Sequence, residues 1–406
     1  LEVSDRWFFT TGFRLDVHSA RGETFVRLDP KVGAAWVLSD EQFWPTGIGA
    51  LRIRSAFGRS GAAATPFQQA VSYRGGDAPP DTRPPGILEP ESTSEWEIGV
   101  DGALLRDRLS VGFTYYRQTT SDALVSVPDM SQTSFGRSDL LNVGKIQNRG
   151  IEVQIDAALV RADDWSLDAG VGITTNNSKV LDLGGAESFL DLNGDLIVGH
   201  PVPANFGRRV ANPDAINGPW SSSRYAPDEN GLVGGRLFLG PQLPTHFVSP
   251  ALSLRAPGSI IFTARGEYRG GNMRRANPVS VSRSVVSPLC LPYYLDPAVS
   301  LALRADTPDI WQERCTPIAA SDYWFDADYF KLRSLSATVP MGFAFPDAIR
   351  EATLTIALDN AYTWYRSVPW WDLEILANDG ANDDGLGSSE RVPAPVTMSV
   401  TLRVTF

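Results

Sequence analysis

The end of the chain alternates apolar and polar residues without a break from Val396 to Phe406. A strand over this segment turns one set of side chains to one face, namely Val396, Met398, Val400, Leu402, Val404 and Phe406. The opposite face then carries Thr397, Ser399, Thr401, Arg403 and Thr405. A half-buried strand of a soluble β-sandwich has the same pattern. A strand of about ten residues that ends on an aromatic is more typical of a transmembrane barrel, with lipid outside and water inside.

Composition narrows the choice of fold class and of partner. The 36 Gly, 29 Pro and 11 Trp among 406 residues are typical of an all-β protein with many turns and aromatic belts. No segment approaches the roughly 18 uninterrupted apolar residues of a membrane helix, which excludes a helical membrane protein but not a barrel. The net charge of −11 argues against a nucleic-acid partner, because phosphates need a basic surface.

Alternating segments recur along the whole chain and predict roughly twelve strands. They cover 9–17, 32–38, 51–57, 95–104, 109–115, 151–159, 167–175, 245–254, 260–268, 330–339, 354–358 and 396–406. The connections between them alternate short and long. Tight turns are predicted at 106–108, 161–164 and 256–259, and long loops at 176–244, 270–329 and 364–393. Short periplasmic turns and long extracellular loops are the asymmetry of a transmembrane barrel.

Several segments resemble the barrel of TonB-dependent receptors. The most specific match, to the SusC/RagA-type nutrient-uptake branch, is Asn-Val-Gly-Lys-Ile-Gln-Asn-Arg-Gly-Ile-Glu-Val at 142–153. Ser-Glu-Trp-Glu-Ile-Gly-Val-Asp at 94–101 also resembles this barrel, as do 29–36, 51–58, 108–111, 113–116 and 330–335. Residues 359–364 are similar to the family's late-strand Asn-Leu-x-Thr-Trp pattern, with Ala361 in place of the usual Leu. The matches spread over nearly the whole chain.

The resemblance implies an all-β fold, a transmembrane antiparallel β-barrel in the outer membrane of a Gram-negative bacterium. Family members close about 22 strands around an N-terminal plug. No plug is recognised in this sequence, which enters a strand pattern almost at Leu1. We therefore expect residues 1–406 to form the C-terminal portion of a larger barrel, within a longer chain.

The same resemblance implies a function and a set of partners. The function is energised import of a nutrient, an oligosaccharide or a peptide, powered through the TonB complex by an N-terminal region outside this chain. A SusD-like surface lipoprotein would act as the lid, and outer-membrane lipid would surround the barrel. The barrel-assembly machinery would engage the terminal strand, which makes Phe406 a candidate assembly signal.

Aromatic residues of the long loops are the candidate ligand contacts, because exposed rings stack on sugars or apolar ligand faces. They are Trp220, Tyr225, Trp311, Tyr323, Trp324, Trp370 and Trp371. The alternative is that these rings pack the loops together over the barrel mouth. In an exported protein, a disulfide between Cys290 and Cys315 is the favoured interpretation of the two cysteines.

No catalytic constellation and no cofactor motif is found in the sequence. His18, His200 and His246 lie far apart, and two cysteines are too few for an ordinary metal site. We therefore expect a transporter and not an enzyme, with no cofactor and no metal. Two other hypotheses remain: a TonB-dependent receptor for a siderophore or metal chelate, and, in another class, a surface β-sandwich adhesin that binds glycans.

Overall fold

The protein is described by a computed structural model. It describes residues 2–3, 5–20, 23–45, 47–62, 88–128, 138–142, 144–184, 196–207, 236–275, 324–341, 351–365 and 394–405.

One large antiparallel sheet contains all twelve strands predicted from the alternation. They are β2 (Trp7–Ala20), β3 (Glu23–Val37), β4 (Gly49–Ala62), β5 (Glu91–Leu104), β6 (Leu109–Ser121), β9 (Lys145–Arg161), β10 (Ser166–Thr175), β14 (His246–Ala256), β15 (Ile260–Gly270), β18 (Tyr329–Pro340), β19 (Glu351–Tyr365) and β20 (Thr397–Thr405). Each pairs with the next of these in chain order. The short β1 (Glu2–Val3) pairs with β2, and β11 (Asn177–Asp182) pairs with β9. Across the described residues β1 and β20 are the two ends of this order.

The register gives the sheet two chemically different faces, because directly opposite residues of antiparallel strands share a face. Val100 opposes Phe113, and Phe113 opposes Val153, whereas Gly112 opposes Gln154. On β20, Val400 opposes Ile356 and Thr401 opposes Thr355. We call these the apolar face and the polar face. Large side chains of the apolar face are left in contact with the surroundings, Phe13 at 77% exposure and Met398 at 69%. Such a face requires lipid in place of water.

Short connections gather at one end of the sheet, the turn end. A 3-10 turn (Leu38–Asp40) follows β3, and another (Pro257–Ser259) joins β14 to β15. The turn between β5 and β6 holds Leu105, Arg106 and Asp107 at positive φ. Aromatic rings of the apolar face also gather here: Trp7 stacks on Trp36 with centroids 4.8 Å apart. The predicted turns at 106–108, 161–164 and 256–259 are confirmed within one or two residues.

The opposite end, the loop end, carries short hairpins that the sequence did not predict. They pair β7 (Leu124–Pro128) with β8 (Ser138–Asn142), β12 (Ala204–Gly207) with β13 (Leu237–Pro241), and β16 (Met273–Arg275) with β17 (Trp324–Asp326). Among the described residues, most of the fully buried apolar side chains lie at this end, including Val180, Leu183, Ala204, Phe206 and Tyr329. The packed core of this chain is therefore at the loop end, while the sheet below it is held by its backbone ladders.

No helix in the part of the chain that the structure describes is both long enough and apolar enough to cross a membrane.

Candidate transport surface

Charged side chains on the polar face link three neighbouring strands through Arg54. Its Nε lies 3.3 Å from Oδ2 of Asp101, and its Nη1 lies 3.8 Å from Oε2 of Glu97. Its Nη2 donates to Oγ1 of Thr114 at 2.5 Å. Arg52 reaches the same Asp101 oxygen at 2.8 Å. These groups are about one-third to one-half exposed, so they add little stability and remain available to a solute.

Gly99 provides the room in which the Arg54 side chain lies. A Cβ atom at residue 99 would be 2.7 Å from Cζ of Arg54 and 2.9 Å from its Nε. Without that atom, the guanidinium lies flat across β5 and reaches both Asp101 and Thr114. In the sequence Glu-Ile-Gly-Val-Asp, the two apolar residues therefore belong to the apolar face, while the other three build the charged network of the polar face.

A groove of about 570 Å³ opens nearer the loop end of the polar face. Its polar lining includes Thr10, Lys31, Thr93, Glu95 and Gln118. Gln118 Nε2 donates to Oε2 of Glu95 at 2.9 Å. The groove therefore presents carboxylate, amide, hydroxyl and ammonium groups within one space, which is a lining that suits a polar solute.

A second space of about 390 Å³ lies towards the turn end. Asp156, Asp168 and Arg265 are among the residues around it. Gln154 Nε2 donates to Oδ2 of Asp156 at 2.9 Å, and Arg161 forms an ion pair with Asp168. Hydrogen-bonding side chains of positive and of negative charge therefore line the polar face over most of the distance from the turn end to the loop end.

A denser charged cluster stands at the loop end of β15 and β18. Arg333 Nε lies 3.1 Å from Oε2 of Glu267, which also pairs with Arg269. Lys331 is only 2% exposed, and its Nζ lies 5.6 Å from the centre of the Tyr329 ring. Through Glu267 this cluster links β15 to β18, so it has a structural role.

What this surface can do is bind and orient a polar solute without covalent chemistry. Within the described ranges, no group of three or more His, Cys, Asp or Glu residues could hold a metal ion. His200 packs against Phe206 and Phe238, with ring centroids 5.1 and 4.7 Å away.

Most of the site residues predicted from the sequence lie outside the described residues. Those are Trp220, Tyr225, Trp311, Tyr323, Trp370 and Trp371, the cysteines Cys290 and Cys315, and Phe406. Trp324 begins β17 and pairs with Arg275, with its side chain outside the described part. All of these assignments stay predictions.

The polar-face network around Arg54 was not among the predicted site residues. The alternation of Arg52 and Arg54 with apolar residues, and of Glu95, Glu97 and Asp101 with theirs, was the available signal. It places the charges on one face of each strand. Which charge opposes which depends on the register, and the sequence pattern leaves that unspecified.

Comparison with known proteins yields a family match. The family model described as TonB dependent receptor-like, beta-barrel matches residues 1–274. TonB-dependent receptor P26 of Formosa agariphila is 30% identical over an alignment of 239 residues, and the match covers 51% of this chain and 23% of that protein. TonB-dependent receptor SusC of Bacteroides thetaiotaomicron is 27% identical over an alignment of 205 residues, and the match covers 45% of this chain and 20% of that protein. These matches therefore span about a quarter or less of each relative's length.

Among solved structures, the RagAB peptide transporter has the same fold over most of this chain. The TM-score is 0.68 at 16% sequence identity, and the match covers 89% of this chain and 43% of the other. The open-open state of the RagAB peptide importer gives a TM-score of 0.65 at 15% identity. At these identities the likeness concerns the fold alone.

Proposed function

Because the chain belongs to the TonB-dependent receptor family of outer-membrane β-barrels, we propose that it lines the import path of a nutrient transporter. In this proposal residues 1–406 are the C-terminal portion of the barrel. Transport is powered through the TonB complex by a region outside this chain. The protein acts by binding and gating, without covalent chemistry.

The observation that carries the proposal is the mixed charge of the polar face. Arg54 bridges Glu97, Asp101 and Thr114 across three strands, and the nearby groove adds Lys31 and Glu95. A surface with both signs of charge, half exposed and backed by an apolar outer face, suits the passage of a polar solute through a membrane.

The substrate class follows from that lining and from the relatives. We infer an oligosaccharide or a peptide, since hydroxyl, amide and charged groups of such solutes can exchange hydrogen bonds with the polar face in succession. The structures of similar fold are described as a peptide transporter and a peptide importer. Aromatic residues of the long loops, Trp220, Trp311 and Trp371 among them, are proposed to make the first contacts at the loop end.

A lipoprotein lid is the partner proposed for the loop end. Between neighbouring strands of the sheet, the connections of more than 20 residues all lie there, whereas those of the turn end have 11 residues or fewer. A SusD-like surface lipoprotein would therefore cover the loop end, and the TonB complex would act from the opposite side.

The experiment compares nutrient depletion by three strains: one lacking the gene, one carrying the complete gene, and one carrying Arg54→Gln with Asp101→Asn. Cells grow in a medium that contains a protein digest, a polysaccharide digest and a ferric chelate, and mass spectrometry follows which solutes disappear. We expect one solute class to be depleted by the strain with the complete gene and not by the strain that lacks it. The double variant removes the cross-strand ion pair without changing net charge, and we expect it to slow that depletion severalfold.

A matched control exchanges Ile98→Val with Val100→Ile on the apolar face of the same strand. We expect normal depletion from it at equal surface levels of receptor. Addition of a protonophore should stop the gene-dependent depletion, because the import is energised. Equal depletion of both digests with and without the gene, together with gene-dependent depletion of a ferric chelate, would reject the nutrient class in favour of the chelate-receptor hypothesis.

A further inference from the structure

Four basic residues form a column on the apolar side of the sheet, near the loop end. Arg117 on β6 lies directly opposite Arg149 on β9. Lys179 on β11 lies opposite Gln147, which is two residues from Arg149, and Lys145 is two residues further along β9. All four side chains are exposed. We call Arg117, Lys145, Arg149 and Lys179 the basic column.

The register fixes the side of the sheet on which the column lies. Tyr115 opposes both Ile98 and Ile151, which belong to the apolar face. Arg117 and Arg149 each lie two residues nearer the loop end, and every second residue of a strand returns to the same face. The Tyr115 ring packs edge-on against Trp96, with centroids 6.2 Å apart. Aromatic rings in this position mark the interface between lipid and water, so the column begins just above that interface.

Gln147 positions the first member of the column. This side chain is only 9% exposed, and with its amide oxygen turned to Arg117 it accepts from Nη2 at 2.8 Å and from Nε at 3.0 Å. The guanidinium of Arg117 is thereby held by the edge that carries Nε and Nη2. Its Nη1 group lies on the other edge, away from Gln147. An oriented guanidinium is suited to bind a phosphate through two hydrogen bonds.

The column is electrostatically unfavourable without an anion. Two like charges directly opposite one another destabilise a sheet. Within the described ranges, no carboxylate lies within 4.0 Å of any of the four basic groups. Asp182 opposes Lys145 at the far end, and its Oδ1 accepts from the Gly184 N–H at 3.0 Å. The nearest acidic residues of β5 and β9, Glu95, Glu97 and Glu152, occupy positions of the polar face.

We propose that the basic column binds the phosphate groups of an anionic lipid in the outer leaflet. The column lies on the lipid side of the sheet and begins next to the interfacial aromatics, so a membrane headgroup is within reach and a solute in the barrel is not. Headgroup phosphates supply the negative charge that the Arg117–Arg149 pair lacks. Basic clusters beside a membrane-spanning segment attract anionic headgroups in this way.

The test measures binding of a doubly phosphorylated lipid A to the complete receptor in detergent, by native mass spectrometry. The variant is Arg117→Gln with Arg149→Gln. We expect its apparent Kd to rise roughly tenfold or more, which is the scale of losing two cations at a membrane surface. Arg117→Lys with Arg149→Lys keeps both charges and should recover most of the binding. Heat-modifiable migration on gels checks that each variant is folded, and Arg149→Gln alone replaces the double variant if that one fails to fold.

The matched control is Arg14→Gln with Arg403→Gln, which removes two exposed arginines from the polar face. We expect no change in its affinity for the lipid. Equal losses for the control and the test variant would overturn the proposal, as would equal binding of the same lipid without phosphates. Complete displacement of the lipid by inorganic phosphate would also overturn it, because the column would then be a site for a free anion.

Discussion

Glycines on the polar face decide where large side chains can cross from one strand to the next. Gly150, within the segment 142–153 that resembles the receptor family, is buried. A Cβ atom there would lie 1.9 Å from the Thr175 carbonyl oxygen and 2.6 Å from the Tyr116 hydroxyl. Tyr116 donates to that same carbonyl at 3.2 Å. The absence of a side chain at residue 150 is therefore a requirement of the packing between β6, β9 and the start of the loop end.

We expect Gly150→Ala to lower the free energy of unfolding of the complete receptor by roughly 1–3 kcal/mol, because the added methyl group overpacks a tight contact. Urea unfolding in lipid vesicles measures the change. Gly58→Ala is the matched control, since a Cβ at residue 58 meets nothing within 4 Å. Equal stability of the two variants would contradict the packing argument.

At the scale of elements, the upper part of the β2–β3 hairpin is fastened to its neighbours by a side chain. The backbone pairing of β3 with β4 stops at Lys31 and Gly58. Beyond it, the Arg27 guanidinium donates to the carbonyl oxygens of Ser60 and Glu91 and pairs with Asp29 at 2.7 Å. The Asp29 side chain is 3% exposed. This bridge replaces the ladder hydrogen bonds that are missing there.

We expect Arg27→Met to speed amide hydrogen exchange in residues 12–20 and 23–30, because local opening then breaks fewer bonds. Residues 31–37, which keep their backbone partners on β4, should exchange as before. Arg14→Met is the control, since Arg14 pairs with Asp16 on its own strand at 2.5 Å and links no neighbour. Protection that is unchanged in the Arg27 variant would show that the bridge is dispensable.

The two faces of a strand should also respond differently to charge. We expect Val153→Lys or Val400→Lys, on the apolar face, to cost roughly 2–4 kcal/mol near the middle of the bilayer. Gln154→Lys or Thr401→Lys, on the polar face, should lower the free energy of unfolding only slightly. Urea unfolding in lipid vesicles compares the four variants, and similar costs on both faces would refute the assignment of the faces.

The sequence predicted the long strands because each of them has lipid on one side and water on the other. Apolar and polar residues therefore alternate along the strand. This is why all twelve predicted strands are present. The strand ends were less predictable: β4 was expected at 51–57 and extends over Gly49–Ala62, because small and polar residues continue the ladder where alternation has ended. The short strand β12, Ala-Asn-Phe-Gly, is buried on every side and so carries no alternation. The contacts of Arg54 required the register, which no single segment encodes.

At the scale of the whole molecule, the terminal strand forms one end of the described sheet. β20 pairs with β19 from Glu351–Thr405 to Asp359–Thr397, and its apolar face is aliphatic throughout. Phe406 follows as the last residue of the chain. The barrel-assembly machinery is expected to engage this end, as the resemblance to the receptor family implies.

Deletion of Phe406 from the complete receptor should lower its level in the outer membrane severalfold. The thermal stability of the molecules that do fold should change little, because one interfacial ring contributes only about 1–3 kcal/mol. Quantitative blotting of outer-membrane fractions, from cells with active periplasmic proteases, measures the level. An unchanged level would leave Phe406 with a packing role alone.

The separation of the buried core from the polar face bears on how such a receptor can diversify. Groups such as Arg54, Glu97 and Gln154 are partly exposed and stabilise little, whereas Tyr329, Val180 and Phe206 are packed at the loop end. Mutations of such partly exposed charged and amide groups are therefore nearly neutral for folding, and selection can explore them one at a time. In the proposed import path, a new substrate preference can thus arise by drift, while the residues that keep the protein folded stay as they are.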